Sequence, residues 1–178
     1  MKSEATSRLW NQITDAAGNV LYTYDAHWLI VNRLKTRERG IKVFQIILTA
    51  LSAGGFLTSV IAGIPWLSWV GGLTSALALA LNLYALSFDL PTEIKRHTDA
   101  ANDLWDVRES YKALMVDFDT IAIDEIRKRR DAITKAVSRI NKSYPGTDAK
   151  AFAKAQKNIG NYTFSAGESA KLLNVESN

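Results

Sequence analysis

Few residues in this chain are of a type that does chemistry, and their placement excludes most reactions. The two histidines, His27 and His97, stand seventy positions apart, and cysteine is absent. Without thiols there is no disulfide framework, no thiolate nucleophile and no cysteine-held zinc or iron–sulfur centre. Two distant histidines do not supply a multi-histidine set, so no metal site is expected. The carboxylates are scattered at solvent-face spacing, with no His or Lys arranged as a relay. No GxxxxGK[ST] or GxGxxG phosphate loop, HExxH pair or Gly-x-Ser-x-Gly elbow occurs. No catalytic residue is assigned and no cofactor expected; the chain is not read as an enzyme.

Three groups of polar residues remain. The run Arg127-Lys128-Arg129-Arg130 is the densest charge feature of the C-terminal half. Four consecutive cations point around most of a helix, and Asp124, Glu125 and Asp131 offer partners at helical spacing. The ordinary reading is a solvated face. In a symmetric oligomer, Arg127, Arg129 and Arg130 would instead form a ring for an anionic phosphate ligand. The second group is Arg33, Lys35, Arg37, Arg39 and Lys42, with Glu38 the one acid among them. It reads as an orientation and anchoring signal set against anionic headgroups. With a net charge of only +4, direct nucleic-acid binding is not expected. The third group is uncharged: Gln45, Thr49, Ser52, Thr58, Ser59, Ser68, Thr74, Ser75, Asn82 and Ser87. Ser59, Ser75 and Asn82 are the candidates to line a pore, the rival role of Asn82 being a hydrogen bond that fixes helix packing.

That third group belongs to the most informative part of the chain. From Val43 to Phe88 there is no Asp, Glu, Lys or Arg, a gap of 46 residues, and all 22 basic and 18 acidic residues lie outside it. A helix needs about 20 apolar residues to cross a bilayer core, so the gap fits two spans. Gly63-Ile64-Pro65-Trp66 marks the turn between them. The spans are read as about 43–62 and 67–88, with Trp66 and Trp69 at headgroup level. The run starts too far into the chain and is too long for a removable signal peptide. The alternative, a buried apolar pair in a soluble protein, conflicts with helices that have no polar face. Cations before the first span, and Lys95 and Arg96 after the second, place both ends in the cytoplasm. Small residues recur at every fourth position: Ala50, Gly54, Thr58, Ala62; Gly55, Ser59, Gly63; Gly72, Ala76, Ala80; and Gly71, Ser75. Such faces let backbones approach, and they are too many for one pair, so self-association is expected. No ionisable group is committed to the spans, which argues against a pump or proton relay.

Helical segments flank the spans. Trp10, Ile13, Ala17, Val20, Tyr24, His27, Val31 and Leu34 follow 3,4 spacing, with a possible bend at Gly18-Asn19. His27 on this seam reads as a packed core histidine. After Pro91, Leu104, Val107, Tyr111, Leu114, Phe118 and Ile121 repeat the spacing; its phase shifts over 117–124, and Ile126, Ile133, Val137, Ile140 and Tyr144 follow. Pro145-Gly146 ends that stripe, and Thr147-Asp148 caps a short last helix. The predicted fold is an all-α membrane protein, a two-transmembrane helical hairpin with a cytoplasmic helical bundle. Its parts are an amphipathic helix over 1–42, the hairpin over 43–88, a helical domain over 89–160 and a tail over 161–178.

Several features in order carry a likeness. Ala26-His27-Trp28 through Asn32-Arg33-Leu34 precede the small-residue spans. Ala101-x-x-Leu104-x-x-x-Arg108-x-x-Tyr111-x-x-Leu114 follows, then the Pro-Gly break and Asp148-Ala149-Lys150-Ala151-Phe152-Ala153-Lys154-Ala155. Over about residues 8–160 the chain resembles the SLATT family, two-transmembrane effector domains associated with SMODS nucleotidyltransferases and SLOG proteins in bacteria. The order and spacing of these motifs carry the likeness. It implies an anti-phage effector of the bacterial inner membrane, a homo-oligomer that forms a pore. Control would come from a cyclic oligonucleotide made by a partner nucleotidyltransferase, with depolarisation and growth arrest or death as the outcome. The family brings no catalytic residues to carry over. Two other readings stand beside it: a passive membrane anchor recruiting a partner enzyme, and a housekeeping ion channel.

Overall fold

The computed structural model describes residues 4–64 and 66–159. The predicted tail over 161–178 and Pro65 of the predicted turn lie outside the described residues. Five helices follow in order: α1 Glu4–Ala62, α2 Trp66–Ser87, α3 Leu90–Val116, α4 Ile123–Ser143 and α5 Ala149–Ile159, with no strand among the described residues. The described residues form two compact units, one of residues 4–31 and 95–159, the other of residues 32–94.

In the first unit the periodic apolar positions meet in a single core. Ile13, Ala17 and Val20 of α1 pack with Leu104, Val107, Tyr111 and Leu114 of α3, and with Ile126 and Ile140 of α4. Trp10 meets Phe118 edge-on at 4.9 Å between ring centroids. The predicted bend at Gly18-Asn19 is not seen: helical hydrogen bonding runs through both residues. Glycine in a helix interior costs about 1 kcal/mol, and burial of Ala17 and Val20 on either side offsets it. The phase shift over 117–124 is a true break, with α3 ending at Val116 and α4 starting at Ile123. Asp117 accepts the backbone N–H groups of Thr120 and Ile121 on its carbonyl, closing the turn. At the start of α5 the Asp148 carboxylate accepts the Ala151 N–H at 2.8 Å, satisfying one donor that the first helical turn leaves over. Tyr22 against Phe152 and Asn158 donating to Asp25 join α5 to α1. Arg108 is buried with its guanidinium 4.5 Å from the Trp105 ring centroid; the ring face and the Glu109 carboxylate are its partners.

The second unit has little interior. Its part of α1 and all of α2 are long and apolar enough to cross a membrane, and their large side chains point outward: Ile61 and Trp69 are each 83% exposed and Leu86 79%. The helices run in opposite directions, because Gln45 meets Asn82 while Ser59 meets Ser68. Gly63 turns the chain with φ of +63°, a left-handed conformation open to glycine at no steric cost. Truncating Leu104→Ala, at 1% exposure the centre of the first unit's core, is expected to cost about 2–5 kcal/mol. Thermal unfolding of the full chain in detergent, followed by circular dichroism, measures it against Val116→Ala, at 60% exposure a control outside that core, expected to cost less.

Candidate functional site

Inside the apolar helix pair the polar side chains form a ladder. Gln45, Ser52 and Ser59 fall seven residues apart on α1; Ser68, Ser75 and Asn82 do the same on α2. Seven residues is nearly two helical turns, so each trio lies along one face. The rungs are hydrogen bonded. Gln45 Nε2 donates to Asn82 Oδ1 at 2.7 Å, Ser52 Oγ donates to the Gly71 carbonyl at 3.1 Å, and the Ser59 and Ser68 hydroxyls pair. Four other hydroxyls bond to their own helix, Thr49 to the Gln45 carbonyl, Thr58 to Gly54, Thr74 to Val70 and Ser87 to Leu83. Between the rungs the backbones touch. A Cβ on Gly71 would lie 3.3 Å from the Phe56 nitrogen and from the Ser52 oxygen, and one on Gly55 would lie 3.5 Å from Gly71. At Gly71 a methyl group would press on backbone that cannot swing aside, so the approach there favours glycine, whereas at Gly55 it would make ordinary contact.

Beside the ladder opens a groove of about 580 Å³, lined by Thr49, Ser52, Ser68 and Ser75 with Gly71, Gly72, Ala53 and Phe56. Of the three predicted pore residues, Ser75 lines this groove, while Ser59 is buried against Ser68 and Asn82 accepts from Gln45. The small-residue runs divide in the same way. Gly55, Ser59 and Gly71 are used within the pair, whereas a Cβ on Gly54 or Gly72 would meet nothing within 4 Å. Removing one amide partner should weaken the pair, and removing both should weaken it less than the single changes together. For Gln45→Leu and Asn82→Leu the coupling is expected at about 0.6–2 kcal/mol, read from a double-mutant cycle of unfolding in micelles.

The basic run on α4 is fully engaged. Arg127 pairs with Asp124 at 3.4 Å, Arg129 with Glu125 at 3.1 Å and Asp117 at 3.2 Å, and Arg130 with Asp131 at 2.7 Å. Arg130 is the least exposed of the three, and it reaches α1, where its Nη1 donates to Gln12 Oε1 at 2.8 Å. Gln12 forms part of a cleft of about 330 Å³ between α1, α3 and α4, whose polar walls are Asn19, Thr23, Thr134 and Asn141 over Val20, Leu104 and Tyr111. Burial pushes the Tyr111 phenol above its usual value, against the pull of its bond with Thr134 and the charge of Arg130. The structure therefore brings Arg130 to a cleft of amides and hydroxyls and leaves Arg127 and Arg129 on the outer faces of α4. In the second unit, Lys42 of the other basic cluster pairs with Glu38, and Arg37 donates to the Tyr84 hydroxyl.

The two histidines, distant in sequence, face each other in the first unit. His27 and His97 are 4% and 6% exposed, with Nδ1 atoms 2.8 Å apart. One ring donates its Nδ1–H and the other accepts, an arrangement that fails when both Nδ1 atoms carry protons. Burial first, then the charge of His97, push His27 down to about 4. A histidine held below its unfolded value of about 6.5 binds its proton more readily in the unfolded chain. Stability is therefore complete above about pH 6.5 and falls as pH drops towards 4. The melting temperature should drop by several degrees between about pH 7 and pH 5, and His27→Leu should flatten that slope. No group of three or more His, Cys, Asp or Glu side chains suited to a metal occurs among the described residues.

Sequence reasoning missed the histidine contact and the pairing of the ladder. The first had no signal, because nothing in the spacing of α1 and α3 fixes which turn of one faces which turn of the other. The second did for two rungs: Gln45 and Asn82, and Ser59 and Ser68, are each equidistant from the turn at Gly63-Ile64, whereas Ser52 bonds to Gly71 and not to its equidistant Ser75. A reversal of chain direction there brings each pair level.

Neither a curated protein nor a solved structure matches the chain. The sequence profile of a domain family does, over residues 9–168, from the first core leucine through both apolar helices and α5. The chain thus belongs to family 4 of the SMODS and SLOG-associating 2TM effector domains, the family named for the two transmembrane helices whose length and composition are seen here.

Proposed function

We propose that this effector crosses the bacterial inner membrane twice, with both termini in the cytoplasm, and assembles into an oligomeric pore under the control of a cyclic oligonucleotide. The observation that carries the reading is the hydroxyl-lined groove on an otherwise hydrocarbon surface. Thr49, Ser52 and Ser68 bond within the pair, but their oxygens gather with Ser75 along one open flank, and a ring of pairs would turn that flank onto a water-filled path. The faces of Gly54 and Gly72, open to the approach of another backbone, supply contacts between copies. With no ionisable group along it, such a path discriminates weakly among ions and serves depolarisation better than pumping.

Control falls to the cytoplasmic helices. The cleft that Gln12 helps to line offers amides for a base edge, and Arg130, bonded to Gln12, brings a guanidinium for a phosphate. Arg127 and Arg129 add charge on the same helix, and the messenger comes from a partner nucleotidyltransferase. A ligand shifts a two-state assembly only by binding one state better. Helix α1 carries residues of both units without a break, which gives a change of packing around Gln12 a continuous element to act through. Opening the pore depolarises an infected cell and arrests growth before phage mature.

Ion flux from liposomes carrying the purified protein, with and without a panel of cyclic di- and trinucleotides, tests the reading. The expected result is flux that changes with one nucleotide. Arg130→Ala should raise the concentration needed about tenfold, and Ser75→Leu should lower flux while the oligomer persists. Flux indifferent to every nucleotide would point to a housekeeping channel. No flux from protein shown to be inserted would leave a membrane anchor that recruits an enzyme.

A further inference from the structure

A second groove of the helix pair differs in kind from the hydroxyl-lined one. It encloses about 460 Å³ between Phe44 and Leu48 of α1 and Leu77, Ala80, Leu81 and Tyr84 of α2. Its walls are hydrocarbon except at one end, where the Tyr84 hydroxyl accepts a hydrogen bond from Arg37. The Arg37 guanidinium also lies 5.6 Å from the Tyr84 ring centroid and 5.9 Å from that of Phe88. No carboxylate pairs with Arg37 among the described residues, and the adjacent Glu38 is taken by Lys42 at 2.5 Å. A guanidinium has five donors, and Tyr84 uses one.

The same order is written along α1. Arg33, Arg37, Ile41, Phe44 and Leu48 follow at steps of four, four, three and four, one helical face that is cationic at one end and apolar at the other. We infer that this groove seats one anionic phospholipid of the cytoplasmic leaflet, its phosphate on Arg37 and an acyl chain between Phe44, Leu48, Leu77 and Leu81. The inference rests on the membrane-spanning reading above. Within the bilayer, hydrocarbon fills an apolar groove, and a cation held at its mouth selects the headgroup attached to that hydrocarbon. A second copy of the chain fits less well. It would bring the same cation-ended face, and the acids of this unit are Glu38, already on Lys42, with Asp89 and Glu93 beyond the charge-free stretch. The two aromatic faces hold the guanidinium beside the groove, so the phosphate meets a cation already in place. A diffuse basic cluster would attract anionic lipid without regard to which cation is removed. A seat depends on Arg37 and is indifferent to Arg39, which lies on the opposite face of α1.

The full chain, reconstituted in phosphatidylcholine vesicles with spin-labelled phosphatidylglycerol or phosphatidylcholine, tests this by the fraction of label immobilised. Wild type is expected to retain phosphatidylglycerol about fivefold better. Arg37→Gln should abolish that preference and Arg39→Gln should keep it. Ala80→Phe, which fills the groove from an exposed position, should reduce retention of both lipids and leaves the cation intact. Equal retention of the two lipids by wild type, or an equal loss in the two arginine variants, would overturn the seat while leaving the membrane reading standing. Protein stripped from the vesicles by alkaline extraction would overturn both.

Discussion

The constraint on which the second unit depends is the absence of charge over the stretch from Val43 to Phe88. A segment made for a medium without water has to satisfy each backbone and side-chain polar group from its own stock. The helices do so first through their main chains. Most of their amides and hydroxyls then follow one of two courses, bonding across to the other helix or back to a carbonyl of their own, while Ser75 faces the groove. Gln45, Ser52 and Ser59 take the first course, Thr49, Thr58 and Ser87 the second. Close approach at Gly55 and Gly71 brings the crossing groups within reach, since hydrocarbon supplies no hydrophobic drive to press two helices together.

The first unit answers to the opposite medium. There water supplies the drive, and three helices bury Ile13, Leu104, Tyr111, Leu114 and Ile126 in one core. Helix α1 serves both regimes with a single backbone, and its composition changes along its length to suit. Buried polarity in this unit is sparse and specific. The His27–His97 contact and the Arg108–Trp105 stack each place a group that water would hold well where water is excluded. In the first, burial holds His27 without its proton near neutral pH; in the second, the guanidinium lies against an aromatic face and a neighbouring carboxylate.

Much of this could be read from the residues. The 3,4 spacing from Trp10 to Val31 and from Leu104 to Leu114 marked core positions of α1 and α3, because a helix buries one stripe and exposes the rest. Asp148 was legible as a cap, since its carboxylate needs only the three residues that follow it. The break after Val116 was visible as a shift of phase but not as a turn, because the turn rests on the Asp117 carbonyl rather than on glycine or proline. Side-chain destinations were harder. The cations at 127–130 could be assigned acidic neighbours from helical spacing, yet the contact of Arg130 with Gln12 joins positions 118 apart and depends on how α4 lies across α1. Ser59 and Asn82 were recognisable as polar residues in an apolar run, but which way each faced waited on the register of the two helices.

That register has a mechanical consequence. The rungs at Gln45–Asn82, Ser52–Gly71 and Ser59–Ser68 span nearly the whole length of the pair, and the glycine contact sits between them. Sliding one helix along the other by even a single residue would break every rung at once and drive a side chain into the Gly71 backbone. The pair therefore has no graded sliding motion; it behaves as a keyed joint. Any movement that alters its outer surface has to turn or tilt both helices as one body.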